Sequence, residues 1–231
     1  MIQPPFETHA LRTKLIEYLG KVVDDPFSGR QRRLGSYKFG VYAFFDYDKE
    51  PIYVGQTAEG LSSRIGRHLT NQRTDAVAMK VLDPFEVFEV EVWPLAQYEG
   101  RATGDYEARA HLNWLEHEVF QRALAESHFK AVLNEKDPPA RPAGAFARPP
   151  GFRGGVVSDE VLKLRGHPDT RLARRAETLS LLAKVVSERQ VQQGLRRTLL
   201  TQARRLVWLA ERRLGDFAGV PDVAQDLDED K

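Results

Sequence analysis

Cysteine is absent from the 231-residue chain. This excludes disulfides, thiolate nucleophiles and every cysteine-ligated zinc or iron–sulfur site, so any metal has to rest on carboxylate, imidazole, amide or water. Long apolar runs are missing as well. None approaches the roughly 18 residues that a membrane helix requires, and the opening MIQPPFETHA has neither the basic nor the apolar region of a signal peptide. The expectation is a cytoplasmic protein with no membrane partner. Phosphate loops, catalytic-triad signatures and cofactor fingerprints are not found either, which leaves an ordinary small-molecule enzyme without a sequence basis. Net charge is also scarce, at +1.

What is present suffices for a packed core. Hydrophobic residues make up 42% and charged residues 29%, with 12 Phe, 7 Tyr and 3 Trp, a composition that excludes a disordered or fibrous chain. The small net charge conceals a partition. Residues 1–155 hold 20 Lys and Arg against 21 Asp and Glu, residues 156–214 hold 13 against 6, and residues 215–231 hold 1 against 6. The middle block has the electrostatic footprint of a nucleic-acid partner, although an Arg-rich helix is also an ordinary solvated face. The end reads as an acidic solubility tail.

Periodicity organises the rest. Leu11, Leu15, Leu19 and Val22 predict an amphipathic helix over 8–23, followed by a basic loop with Arg30, Arg32, Arg33 and Lys38. GVYAFFD and PIYVG, separated by the turn-like residues 46–50, predict a β-hairpin over 40–55. Residues 61–69 read as a helix with Leu61, Ile65 and Leu69 inward. FEVFEVEVW alternates Phe88, Val90 and Val92 with glutamates, the pattern of a third strand with one buried face. A long helix follows over 106–126, its stripe formed by Leu112, Leu115, Val119 and Ala123. Residues 138–155 hold five prolines and four glycines, which predicts a linker over 138–158. Beyond it, residues 159–214 read as a basic helical domain in which Leu199, Ala203, Leu206, Ala210 and Leu214 repeat at near-heptad spacing, a stripe for internal packing or for a homodimer seam. The five expected parts are thus 1–36, 37–137, 138–158, 159–214 and 215–231.

One constellation carries chemistry: Gly40-Val41-Tyr42, then Tyr53-Val54-Gly55, then Arg64 and His68, a glutamate on the long helix, and Asn134. It resembles the GIY-YIG nuclease family over about residues 37–137. The resemblance implies an α/β fold of the α+β kind, a small three-stranded antiparallel sheet flanked by helices, with the C-terminal helical domain separate from it. It also implies hydrolysis of DNA phosphodiesters with one divalent metal, magnesium or manganese, and it places an arginine at Arg64 and a second functional group at His68.

Phosphodiester hydrolysis needs a proton acceptor, positive charge at the phosphate oxygens and stabilisation of the leaving oxygen. Tyr42 and Tyr53, on adjacent strands, can converge on one phosphate. A phenol is a poor base at neutral pH unless cations favour its ionised form. Arg64 and His68 lie one helical turn apart, the guanidinium for a phosphate oxygen and the imidazole to accept a proton or position water. Two glutamates compete for the metal. At about 100° per residue, Glu116 falls roughly 55° from the centre of the apolar stripe and Glu118 about 105°, so Glu116 is the metal ligand expected in a half-buried cleft. A single carboxylate with several waters suits magnesium. Arg30, Arg32, Arg33, Lys38 and Arg67 are the expected DNA contacts. The sequence departs from the family at position 56, Gln where many members have lysine, and at position 131, Ala where a proline usually precedes the asparagine. The alternative to a nuclease is a non-catalytic nucleic-acid-binding or assembly protein built on the same module.

Overall fold

The computed structural model describes residues 6–25, 27–70 and 81–218. Most of the expected acidic tail, residues 219–231, lies outside the described residues. Helix α1 (Phe6–Gly20) stops at a glycine, two residues short of Val22. Val22 belongs instead to β1 (Val22–Asp24), which pairs antiparallel with β2 (Gln31–Arg33), so the predicted basic loop is a small hairpin. Asp25 closes its turn by accepting from the backbone amides of Phe27 and Ser28.

The main sheet contains β3 (Gly40–Phe45), β4 (Pro51–Thr57), β5 (Glu89–Pro94) and β6 (Phe152–Gly155), antiparallel in the order β4-β3-β5-β6. Helix α2 (Leu61–Thr70) follows β4, and α3 (Tyr106–Glu126) follows β5. Alternation sends the two halves of each strand's side chains to opposite cores. Tyr42, Phe44, Val90 and Val92 join Leu15 of α1 and Leu61 and Ile65 of α2. Val41, Ala43, Val54 and Trp93 join Leu112, Leu115 and Val119 of α3.

The expected three-stranded sheet is therefore a four-stranded one. The fourth strand comes from the Pro/Gly segment that reads as a linker, because Phe152-Arg153-Gly154-Gly155 lacks the β-branched alternation that marks a strand. It is held through backbone groups, with Tyr18 donating to the Phe152 carbonyl at 2.8 Å and Val156 N to the Phe88 carbonyl at 3.0 Å. Glu91, which alternation places in solvent, is instead buried on the face of the sheet that packs against α3.

Helices α4 (Asp159–Arg165), α5 (Pro168–Glu188) and α6 (Gln193–Asp216) complete the described chain. The expectation of a separate helical domain is corrected by their packing. Leu182, Val185 and Leu195 belong to the same hydrophobic cluster as Tyr42 and Leu133. The inward face of α6 is formed by Leu195, Thr198, Thr201, Gln202, Arg205 and Leu209. Of the supposed dimer seam, Leu199, Ala203 and Leu206 are half-buried within the monomer, while Ala210 and Leu214 are exposed. A polar inward face escapes a reading based on leucine spacing.

The positive charge of this region has an internal counterpart. Asp46, wholly buried in the β3–β4 turn, accepts from Arg175 at 2.9 Å and Arg205 at 2.8 Å. Arg175 also donates to Glu86 at 2.8 Å. Around this core, Arg171 and Arg212 pair with Asp48, Arg174 with Asp83 and Arg165 with Glu7. Two buried carboxylates face two buried guanidinium groups, so deleting one cation leaves uncompensated charge in a desolvated site. Arg175→Met is expected to cost about 3–5 kcal/mol, whereas Arg212→Ala, at a half-exposed pair, should cost no more than about 1 kcal/mol. Urea unfolding of the two variants checks the difference.

Candidate active site

A cleft of about 630 Å³ opens where the edge strand β4 meets α2, α3 and residues 133–139. Edge strand β4 positions most of it. In the register of the hairpin, Tyr42 faces Gly55 and Phe44 faces Tyr53, so both tyrosines lie on the α2 side of the sheet. Their rings stack with centroids 6.4 Å apart. Tyr53 lines the cleft. Tyr42 does not; it is wholly buried and its hydroxyl occupies the place that a side chain at position 55 would take. A Cβ on Gly55 would stand 2.5 Å from the Tyr42 hydroxyl oxygen, which explains why glycine is needed there. The prediction that both hydroxyls reach the same open space is thus met by one of them directly, the other lying in the wall beneath Gly55.

Helix α2 presents Arg64 and His68 to this wall, with Leu61, Ile65 and Leu69 buried behind them as periodicity predicts. The His68 ring lies 5.3 Å from Tyr53 and 5.9 Å from Tyr42, centroid to centroid. Arg64 lies within coulombic reach of both phenols. Arg64 Nε and His68 Nε2 are buried without a hydrogen-bond partner, while the Tyr42 hydroxyl lies within hydrogen-bonding reach of the Arg64 guanidinium. Burial and the neighbouring guanidinium groups of Arg64 and Arg67 push His68 down to about 4, leaving a neutral imidazole at pH 7. Burial raises Tyr53 to about 12 and Tyr42 further, so neither phenol is ionised at neutral pH.

Glu116 comes from α3, on the other face of the sheet, and reaches round the β4 edge to the cleft. It is 9% exposed, whereas Glu118 points away and pairs with Arg141 at 3.3 Å. Glu116 accepts from Gln56 Nε2 at 2.8 Å. Burial lifts its carboxyl to about 7, against the opposing pull of Gln56 and Arg64. A carboxylate so desolvated, with only neutral donors and a half-buried arginine near it, suits a divalent cation that keeps its remaining water ligands. Among the described residues no group of three or more acidic, histidine or cysteine side chains could hold a metal, and Glu135 and Asp137 are the other carboxylates that line the cleft.

Asn134 lines the cleft, but both ends of its amide are engaged by the edge strand. Nδ2 donates to the Val54 carbonyl at 2.7 Å and Oδ1 accepts from Val54 N at 3.0 Å. It pairs with β4 as another strand would. Arg67 also lines the cleft and bonds Glu59 at 2.7 Å. The other expected DNA contacts lie outside the lining. Arg32 bonds Glu99 and Ser36, Lys38 donates to the Arg101 carbonyl, and Arg30 and Arg33 are exposed. Gln56, Asn113 and Lys136 were not singled out for a role by sequence; the residue after the second tyrosine motif was the one available signal.

The geometry can be set beside known proteins. Residues 38–108 match the family model of the GIY-YIG catalytic domain. The match covers less than half of the chain and runs from β3 into the first turn of α3, so Glu116 and Asn134 stand beyond it. Comparison with curated proteins and with solved structures gave no match. Within the GIY-YIG segment, the two glycines that flank the tyrosine motifs have distinct surroundings: a Cβ at Gly40 would meet the Trp93 carbonyl and Leu61, and one at Gly55 would displace the Tyr42 ring. Gly55→Ala is expected to cost about 1–3 kcal/mol by overpacking and to move Tyr42 away from Arg64. Denaturant unfolding together with tyrosine NMR shifts checks both effects.

Ionisation yields a second expectation. In the folded protein Glu116 keeps its proton up to about 7, while in the unfolded chain it loses it near the ordinary 4.5. Stability from this group is present below about 4.5 and is lost as pH rises through 7. His68 acts oppositely, its contribution being present above 6.5 and lost as pH falls toward 4. Subtracting Glu116→Gln from the wild type cancels the histidine. In EDTA, that difference in unfolding free energy should move against the wild type by about 1–3 kcal/mol between pH 5 and pH 8.

Proposed function

We propose that this protein is a divalent-metal-dependent DNA endonuclease that hydrolyses phosphodiester bonds in the cleft at the β4 edge. The observation that carries the reading is the convergence there of Tyr53, Arg64, His68 and Glu116 from three separate elements, with two buried polar atoms of this cluster, Arg64 Nε and His68 Nε2, lacking partners. Orphaned buried polar groups are costly in a folded protein unless a ligand completes them. The GIY-YIG match over the first three of these residues points to nuclease chemistry and to DNA as the partner.

Each side chain then has a task. Arg64 offers a planar fork of donors to a phosphate oxygen, and Arg67 and Lys136 add positive charge at the cleft. The phenol of Tyr53 remains protonated and donates a hydrogen bond to the phosphate. His68 is neutral, and its buried, unpartnered Nε2 is the site that would take a proton from the attacking water. An incoming phosphate would offset the charges of Arg64 and Arg67, which act together with burial to lower the basicity of His68. Tyr42, held beneath Gly55, positions Arg64. A magnesium or manganese ion on Glu116 would supply positive charge to the reacting phosphate and its leaving oxygen.

Supercoiled plasmid incubated with the protein should be nicked or linearised in magnesium or manganese and remain intact in EDTA. Glu116→Gln and His68→Ala should each lower the rate by about 100-fold or more, with DNA binding retained. Arg64→Lys should also fail, since a point charge replaces the fork. A wild-type protein that binds DNA and leaves the plasmid intact in both metals would instead favour the non-catalytic binding module.

A further inference from the structure

Gln56 and Glu116 belong to different elements that approach one another at the exposed edge of the sheet. Gln56 follows Gly55 on β4, and alternation sends its side chain to the α3 face, opposite to Tyr53 and Gly55. There its Nε2 donates to two acceptors, Asn113 Oδ1 at 2.9 Å and Glu116 Oε2 at 2.8 Å. Asn113 and Glu116 are three residues apart on α3, neighbours on one side of the helix. Both protons of one amide nitrogen are therefore fixed by one helical turn. Rotating the amide by 180° would set an oxygen against the Glu116 carboxylate, so the charge of Glu116 decides which way Gln56 points. The other end of the amide, Oε1, is buried and has no donor.

We propose that Gln56 and Asn113 form an amide clamp that orients the Glu116 carboxylate toward a divalent cation, with Gln56 as the positioning residue and Asn113 acting through it. The inference rests on the metal-dependent reading above. A neutral amide suits this task. It fixes one carboxylate oxygen without neutralising the charge. The donorless Oε1 is an acceptor for a water of a hydrated ion. Asn113 contributes the other fixed point. Without it, one proton of Gln56 Nε2 is unbound and the amide is free to rotate about its last torsion.

The test uses the full chain and manganese alone, without DNA, titrated by calorimetry into the wild type, Gln56→Met, Asn113→Ala and the double variant. Gln56→Met keeps length and shape but removes both ends of the amide. It is expected to weaken manganese binding about 10-fold or more, and to lower kcat for plasmid nicking with KM for DNA unchanged. Asn113→Ala should weaken binding less, and the double variant should bind no more weakly than Gln56→Met, because Asn113 has no route to the metal once Gln56 is gone. Wild-type affinity in Gln56→Met, or a double variant whose loss equals the product of the two singles, overturns the clamp. Should Gln56→Met fail to fold by circular dichroism, the half-exposed Asn113→Ala decides alone: weakened binding supports the clamp and wild-type affinity overturns it. A wild type that binds no manganese overturns the metal-dependent reading itself and the clamp with it, an outcome distinct from one in which the wild type binds and the variants bind equally.

Discussion

Asp46 in the β3–β4 turn, held by Arg175 and Arg205, is the contact on which the rest of the arrangement depends. Its other oxygen accepts from the amides of Asp48 and Glu50, so the same carboxylate shapes the turn joining the two tyrosine strands and anchors that turn to two C-terminal helices. Ions in a dry interior are tolerated only when charge and hydrogen bonding are both matched. Here they are matched across more than a hundred residues of sequence. Removing either cation would leave Asp46 or Glu86 short of a charge partner, so the network joins the C-terminal helices to the sheet alongside the hydrophobic contacts of Leu182 and Leu195.

This internal neutralisation changes the meaning of the basic block. Arg165, Arg171, Arg174, Arg175, Arg197, Arg205, Arg212 and Arg213 all pair with carboxylates in the structure. A surplus of arginine therefore serves largely to offset acidic residues of the N-terminal two thirds and the helices themselves. The same region also supports the cleft. Arg197 pairs with Asp137, which lines it, and Gly194 lies so close to the Glu135 carbonyl that a Cβ there would stand 1.7 Å from that oxygen. Helix α6 thus braces the loop that carries Asn134 to the β4 edge.

The site exploits an edge strand. An unpaired edge normally has to be shielded from other chains, and here Asn134 caps part of it while the remainder forms the cleft floor. Because β4 has no neighbour on that side, α2 can bring Arg64 and His68 from one face and α3 can bring Glu116 from the other. A central strand would keep those two faces apart. Gly55 matters for the same reason: lacking a side chain, it admits the Tyr42 hydroxyl to the wall and leaves the edge open.

Some of this was legible in the residues alone. Aromatic and β-branched residues on either side of a turn placed the two tyrosines on one hairpin over 40–55, and helical spacing put Arg64 beside His68 and chose Glu116 over Glu118, since the 3.6-residue period determines faces within a single helix. The family resemblance joined those elements into one site and supplied the chemistry to expect. The tertiary structure alone decided that Phe152–Gly155 is a strand, that Asn134 clasps Val54, that Gln56 holds Glu116, and that the arginines of α5 and α6 face inward. These depend on backbone pairing and charge matching between residues far apart in the chain, and such contacts leave no periodic mark on the sequences of either partner.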